Sequence, residues 1–479
     1  DLHNKIVAKF LHYWMFFLIG FSLCANTYDE VFISGNSDNR LDIVFAQPEN
    51  ENPNLIPDVS KMWNDACDYY PFYKRYKNFF NIHVISRNDF LMHDKFWNNS
   101  DYQRNNFKLI DANFSKRDLG FMMRFPLSNG GWAADSYLEE GRLGAMMGTN
   151  FKIFAHEMGH MLGDLYDTYL NYIDSHTHYP QNIIVPENHP IFLAKWFYPK
   201  LKPGFDKWSR WQDYEDPITG IKIDGPFMDH TEPHSSEDIF NYWRTTSDTT
   251  LMRSWNAEGA FLCPVEREHM VLSLHKYIDP LDSYSDNNLS INDFDVLEAN
   301  VVDKDVIDVL WSVNGEPISN QHFLAIKDLN LTQDTNITLT AWDNTLNHDY
   351  ETDNRDGWVR TDDFLTTYST GPEGVISERN ESNKLTQIID YNYVKNSEIK
   401  KWYNLIPNVI GDWKQSNWFG VFGVFQNDWV YHEKLAWIYV HQAEQGLWLY
   451  LEGAGWHWTN TTSYPYLYSH DQSEWVWAY

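Results

Sequence analysis

The sequence predicts a multidomain α+β chain in which a domain of mixed sheet and helices precedes two all-β units. Three observations carry that expectation. One strongly amphipathic helix is spelled out near residues 150–163, short alternating segments broken by Asn, Asp and Gly fill residues 285–395, and aromatic pairs recur every 8 to 11 residues after Trp429. At 479 residues, 43% hydrophobic and 17% aromatic, the chain has material for two or three cores. The expected boundaries are 1–25, 26–284, 285–398 and 399–479.

The first segment reads as an export signal. Lys5 and Lys9 precede thirteen apolar or small residues at 13–25, too few to span a bilayer. Cleavage is expected near Ala25; a lipoprotein site at Cys24, disfavoured by the bulky Leu23, and a buried N-terminal helix are the alternatives. The mature chain is thus expected to be secreted or cell-surface, with no spanning helix. Removal of the signal leaves Cys67 and Cys263, which can pair after export but are too few for a disulfide framework. With 37 basic and 67 acidic residues the formal charge is −30, which repels nucleic acid and anionic membrane surfaces.

The helix carries the most informative stretch, His156-Glu157-Met158-Gly159-His160. Residues i and i+4 share a helix face, so both imidazoles can reach one cation at roughly 2.0–2.1 Å. Glu157 stands about 100° further round, placed to take a proton from a metal-activated water without becoming a ligand. Phe154, Met158, Met161 and Leu165 form an apolar stripe on the opposite side. Thr149 and Asn150 are candidate caps, and Gly163 is expected to end the helix in a left-handed turn. The following Asp164-Leu165-Tyr166-Asp167 can fold back and offer a third ligand. A chance H-E-x-x-H arises in about one chain in twenty of this composition, so the pentapeptide alone leaves open an amphipathic helix with solvated histidines. The opposed stripe, the glycine and the downstream acid argue for zinc.

Some ninety residues on, Thr250-Leu251-Met252-Arg253-Ser254 has the make-up of a tight methionine turn that packs a thioether beneath metal-bound histidines. Together with Leu165-x-Asp167-x-Tyr169 and Phe261-Leu262-Cys263-Pro264-Val265, these segments resemble the bacterial zinc endopeptidase family named for an immunoglobulin A peptidase. Upstream, Leu41-Asp42-Ile43-Val44-Phe45 resembles its first strand, and Pro71-Phe72-Tyr73-Lys74 with Phe80-Asn81-Ile82-His83-Val84 its helix-to-strand passage. Asn129-Gly130-Gly131 resembles the glycine turn before its active-site helix. The resemblance covers about residues 29–281 and implies a metzincin-like domain hydrolysing protein or peptide substrates with Zn²⁺. It implies His156, His160 and Asp167 as zinc ligands, Glu157 as general base and Met252 as structural support. Two departures stand out. Thr250 and Glu266 occupy positions where the family leads one to expect cysteines, and strict metzincin spacing points to Tyr166 as third ligand. A carboxylate neutralises the cation directly whereas a tyrosine must first ionise from a pKa near 10, so chemistry favours Asp167, with a more distant acid or histidine, or Tyr166, as the alternatives. The rival readings are a surface-binding protein with a degenerate or structural zinc site and a zinc amidase on the same scaffold.

Further on, Val306-Ile307-Asp308-Val309-Leu310-Trp311-Ser312-Val313 before Asn314-Gly315, and Asn336-Ile337-Thr338-Leu339-Thr340-Ala341-Trp342, read as strands of a β-sandwich. The acids between Asp282 and Asp308 read as a solvated linker, with calcium binding as the alternative. In the last unit, six aromatic-x-aromatic dyads start at Trp429, Trp437, Trp448, Trp456, Tyr466 and Trp475. Each puts two rings on one face of a short strand, either as the core of a small β module or as a platform for glycan or cell-surface contact.

Overall fold

A computed structural model describes residues 28–49, 51–87, 90, 100–124, 130–134, 142–163, 165, 183–184, 211–225, 227–230, 241–293, 295–346, 358–360, 365–370, 376–381, 385–395, 401–425, 428–443 and 446–478. The proposed signal lies outside them. Among the described residues no helix is long and apolar enough to cross a membrane. The fold is mixed α/β, mostly sheet with few helices. The chain divides into two compact units, one of Asp1–Met270 with Thr367–Arg379 and one of Val271–Thr366 with Asn380–Tyr479.

The first unit is built on a six-stranded sheet. Its strands are β1 (Asp29–Phe32), β2 (Leu41–Pro48), β3 (Phe80–Arg87), β4 (Leu119–Arg124), β5 (Gly130–Ala134) and β6 (Arg142–Met147), in the order β1-β3-β2-β4-β6-β5. β3, β2, β4 and β6 run parallel, while the two end strands β1 and β5 pair antiparallel. The near-continuous apolar run Leu41-x-Ile43-Val44-Phe45-Ala46 is what a strand covered on both faces requires, and all of it is buried. Helix α1 (Leu55–Tyr69), the short α2 (Pro71–Arg75), α3 (Ser100–Asn113) and α4 (Phe151–Met161) supply the cover. Val44 and Ala46 pack with Phe107, Ile110 and Phe114 of the α3 side, whereas Phe45 points the other way to Phe121 and Phe154 at ring separations of 5.3 and 5.8 Å. Period-two alternation along one strand thus feeds two helical layers. On the α4 side, Trp63 of α1 seats its indole against Phe80 and Phe154, fixing α4 to the sheet.

Three short strands, β7 (Ile183–Ile184), β8 (Phe227–His230) and β9 (Asn241–Arg244), form a separate sheet in the order β7-β9-β8, and α5 (Pro264–Leu274) follows. Cys67 and Cys263 are both buried free thiols; burial pushes the Cys67 thiol up to about 12 and raises that of Cys263 well above the ordinary thiol value.

Beyond the last turn of α5, the described residues of the second unit are strands and turns with one short 3₁₀ helix at Ile326–Leu329. β10 (Leu281–Tyr284), β11 (Val296–Val301) and, further on, β14 (Phe323–Ala325) make one antiparallel sheet. β12 (Ile307–Val313), β13 (Glu316–Ser319), β15 (Thr335–Asp343) and β18 (Thr386–Tyr393) make another, ordered β13-β12-β15-β18. β16 (Leu365–Thr370) pairs with β17 (Ile376–Glu381) in a two-stranded sheet, most of which belongs to the first unit. Both predicted runs are strands, and Asn314-Gly315 turns between β12 and β13 with φ of 51° and 87°, the left-handed pair that a tight hairpin needs. The expectation of an acidic linker is corrected: β10 and β11 run through it, and its acids hold turns, Asp286 accepting from Asn288 N and Asp303 from Asp305 N. Side-chain carboxylates that accept from turn amides belong to the folded β unit.

The C-terminal strands β19 (Asn408–Ile410), β20 (Trp413–Ser416), β21 (Gly420–Val424), β22 (Trp429–His432), β23 (Ala436–Ala443), β24 (Gly446–Leu451), β25 (Gly455–Thr459), β26 (Tyr466–Ser469) and β27 (Glu474–Trp477) form one nine-stranded antiparallel meander in sequence order. Each aromatic dyad occupies its own strand, as the hairpin spacing predicts.

Candidate metal centre

Helix α4 starts where the sequence indicates. Asn150 is its cap, its side-chain oxygen accepting from Lys152 N at 2.9 Å, and Phe154, Met158 and Met161 are fully buried. His156 and His160 come together one turn apart, their ring centroids 4.9 Å from each other and nearly perpendicular. Both rings are oriented by backbone. His156 Nδ1 lies 3.0 Å from Leu251 O, and His160 Nδ1 lies 2.7 Å from Leu165 O. A carbonyl can only accept, so each neutral imidazole carries its proton on Nδ1 and its lone pair on Nε2. That is the tautomer a metal ligand needs, held by the outer contact that usually accompanies one.

The acceptor for His156 belongs to the predicted methionine turn, 95 residues away in sequence. Arg253 N and Ser254 N both donate to Thr250 O, and Leu251 N donates to Phe261 O, which closes the turn on itself. Met252 is fully buried, and a Cβ on Gly159 would stand 2.5 Å from its Sδ, so the thioether lies directly against α4 between the two histidines in sequence. Thr250 and Glu266, the pair standing where cysteines were expected, also meet: Thr250 Oγ1 donates to Glu266 Oε1 at 3.1 Å while Glu266 Oε2 accepts from Cys263 N at 2.9 Å. A buried carboxylate of α5 thus ties the methionine turn by hydrogen bonds.

Glu157 is buried to within 5% of its surface and faces the end strand β5. A Cβ on Gly131 would stand 2.5 Å from Glu157 Oε1 and 2.6 Å from Ile153 Cγ2, so glycine is the residue that lets β5 pass against the carboxylate. This corrects the reading of Gly130 and Gly131 as a turn: they open an extended strand paired with β6. Gly163 is corrected as well. It does not adopt the left-handed conformation; the helix ends through Gly163 N and Leu165 N both donating to Gly159 O. The position needs glycine for space, since a Cβ would sit 2.7 Å from Met270 Sδ and 2.9 Å from Gly159 O.

Beneath this assembly α5 presents a row of buried polar side chains. Arg267 pairs with Asp216 at 2.7 Å, and Glu268 accepts from Trp211 Nε1 at 2.7 Å. Sequence reasoning missed these anchors, along with the carbonyls of Leu251 and Leu165. A buried ion pair leaves only polar letters within an apolar run, and a carbonyl leaves none. Among the described residues no three His, Cys, Asp or Glu side chains form a complete ligand set; Tyr166 and Asp167 lie outside the described residues.

No protein-family model matches this chain, and no curated protein matches it. Among solved structures, one described as "Structure of a chaperone-substrate complex" is similar at 14% identity over 29% of this chain and 26% of its own length, with a TM-score of 0.19. A likeness that slight carries no argument about fold or activity.

Proposed function

We propose that the chain is a secreted zinc-dependent endopeptidase with a metzincin-like domain, and that His156 and His160 hold the metal through Nε2. The observation that carries this reading is the meeting of the histidine helix with the distant methionine turn, through the Leu251 carbonyl on His156 and Met252 against Gly159. A helix with solvated histidines has no use for two carbonyls that fix the same tautomer. Asp167 is the proposed third ligand. In sequence it follows by two residues the Leu165 whose carbonyl holds His160. Two histidines and a carboxylate form a donor set that zinc accepts.

When bound, zinc supplies Lewis acidity and brings the pKa of a water towards roughly 7. Glu157 would act as the general base that accepts a proton from the attacking water and returns it to the leaving amine. Its burial shields that transfer from bulk solvent. The end strand β5, with Gly131 against Glu157, offers backbone groups to which an extended peptide can add as a further strand, laying its scissile bond beside the base.

The test is hydrolysis of casein by the full-length protein. Activity is expected to stop with 1,10-phenanthroline and return with Zn²⁺, and Asp167→Ala is expected to hold well below one zinc per chain where Tyr166→Phe keeps it. Hydrolysis indifferent to chelation, or a one-zinc protein that cleaves no peptide, would overturn the proposal.

A further inference from the structure

The C-terminal sheet sorts its residues by face. Val430, Ile438, Val440, Leu447, Leu449 and Leu467 are buried in one cluster with Phe419 and Phe422, so the inward layer is mostly aliphatic. The dyad aromatics point the other way. Eight of the twelve dyad rings keep between 36% (Tyr431) and 52% (Trp477) of their surface exposed, which rules against the rings being the core of this module.

The register joins them into rows that cross the strands. Trp429 stands opposite Tyr439, Tyr439 opposite Tyr450 and Tyr450 opposite Trp456. A second row runs from Trp448 through Trp458 and Tyr468 to Trp475. Ring centroids across these strands lie 5.5 Å apart at Tyr450–Trp456 and at Tyr468–Trp475, edge against face. Such pairs stabilise a sheet. Stabilisation alone does not call for so much ring surface to stay in water, nor for so large a patch on a protein surface.

Charge selects the occupant. On β22 to β27 the positions that share the dyad face hold no Asp, Glu, Lys or Arg, although the chain carries −30 overall. An anionic polymer meets no cation there and is repelled by the chain. An anionic membrane meets the same repulsion, and the face lacks the basic rim by which interfacial segments hold a bilayer. What the face offers is flat apolar ring surface edged by phenol and indole hydrogen-bonding groups, repeated at the strand spacing of roughly 4.8 Å. A sugar ring in a neutral chain presents the matching pattern, apolar C–H faces edged by hydroxyls and repeated at about the same interval.

We propose that the outward face of β22 to β27 binds an uncharged polysaccharide laid along the aromatic rows. This does not depend on the peptidase reading, because binding is measured without turnover. The experiment is affinity electrophoresis of the full-length protein in gels containing hydroxyethylcellulose, glucomannan or xylan, with carboxymethylcellulose as the anionic counterpart. At least one neutral polymer is expected to retard the protein and the anionic one is not. Tyr450→Ala/Trp456→Ala/Trp458→Ala is expected to weaken binding at least tenfold and the single Trp456→Ala about threefold, with near-ultraviolet circular dichroism of the single variant confirming the fold. The proposal is overturned if no neutral polymer retards the protein, if carboxymethylcellulose does so equally, or if the single variant binds as wild type. Light scattering or vesicle flotation showing instead a dimer or a lipid surface on this face would also overturn it.

Discussion

Gly131 and Glu157 are fitted to each other across β5 and α4, and that contact carries the most specific prediction at the scale of single residues. Side-chain branching at Gly131 has nowhere to go but into the carboxylate and Ile153. A displacement of about 1 Å at a catalytic group can cost on the order of 10²-fold in rate. Gly131→Val is therefore expected to lower kcat at least tenfold while zinc content by atomic emission stays at the wild-type value. An unchanged kcat would show that Glu157 is not where the reaction needs it. At this scale the sequence was legible wherever chemistry is written in side chains: the i, i+4 histidines and their glutamate are recognisable from spacing alone. It was silent on the Leu251 and Leu165 carbonyls, because any residue supplies a carbonyl, and it misjudged Gly163, where the need was room beside Met270 rather than a left-handed turn.

Among the elements, β11 shows how a buried acid makes pairing depend on pH. Glu298 on β11 accepts from Ser416 Oγ at 2.7 Å and from Asn417 N, at the end of β20, and Asn417 Nδ2 donates in turn to Ala299 O at 2.9 Å. Burial raises its carboxyl from the ordinary 4.5 to about 7, although these hydrogen bonds work in the opposite direction. A carboxyl with a raised folded pKa stabilises the fold while protonated. Its contribution is complete below pH 4.5 and is lost as pH rises through about 7, by up to roughly 3 kcal/mol. The thermal midpoint of the second unit is expected to fall across that window, and Glu298→Gln is expected to flatten the fall. A midpoint equally steep in the variant would assign the pH dependence elsewhere; Asp118, raised to about 7 by burial in the first unit, has the same sign. Strand existence was legible here from alternation and from Asn314-Gly315. The role of the acids was not, since an Asp that holds a turn and an Asp in a solvated linker are the same letter.

On the scale of the whole molecule, the described residues form a parallel-centred sheet covered by helices and a second unit dominated by antiparallel strands. The aromatic strands were half legible. Dyad spacing placed the strands, but i, i+2 spacing puts both rings on one face without saying which face is wet. That was decided by the aliphatic residues between and around them, which form the core. The central claim is that His156, His160 and Glu157 serve a zinc-dependent hydrolysis in which Glu157 handles protons and the histidines handle the metal. The most direct measurement compares zinc stoichiometry and casein turnover in Glu157→Gln with those of the wild type. The account predicts about one zinc per chain in both proteins and at least a thousandfold loss of turnover in the variant. Turnover within tenfold of wild type, or loss of the metal together with activity, would contradict it.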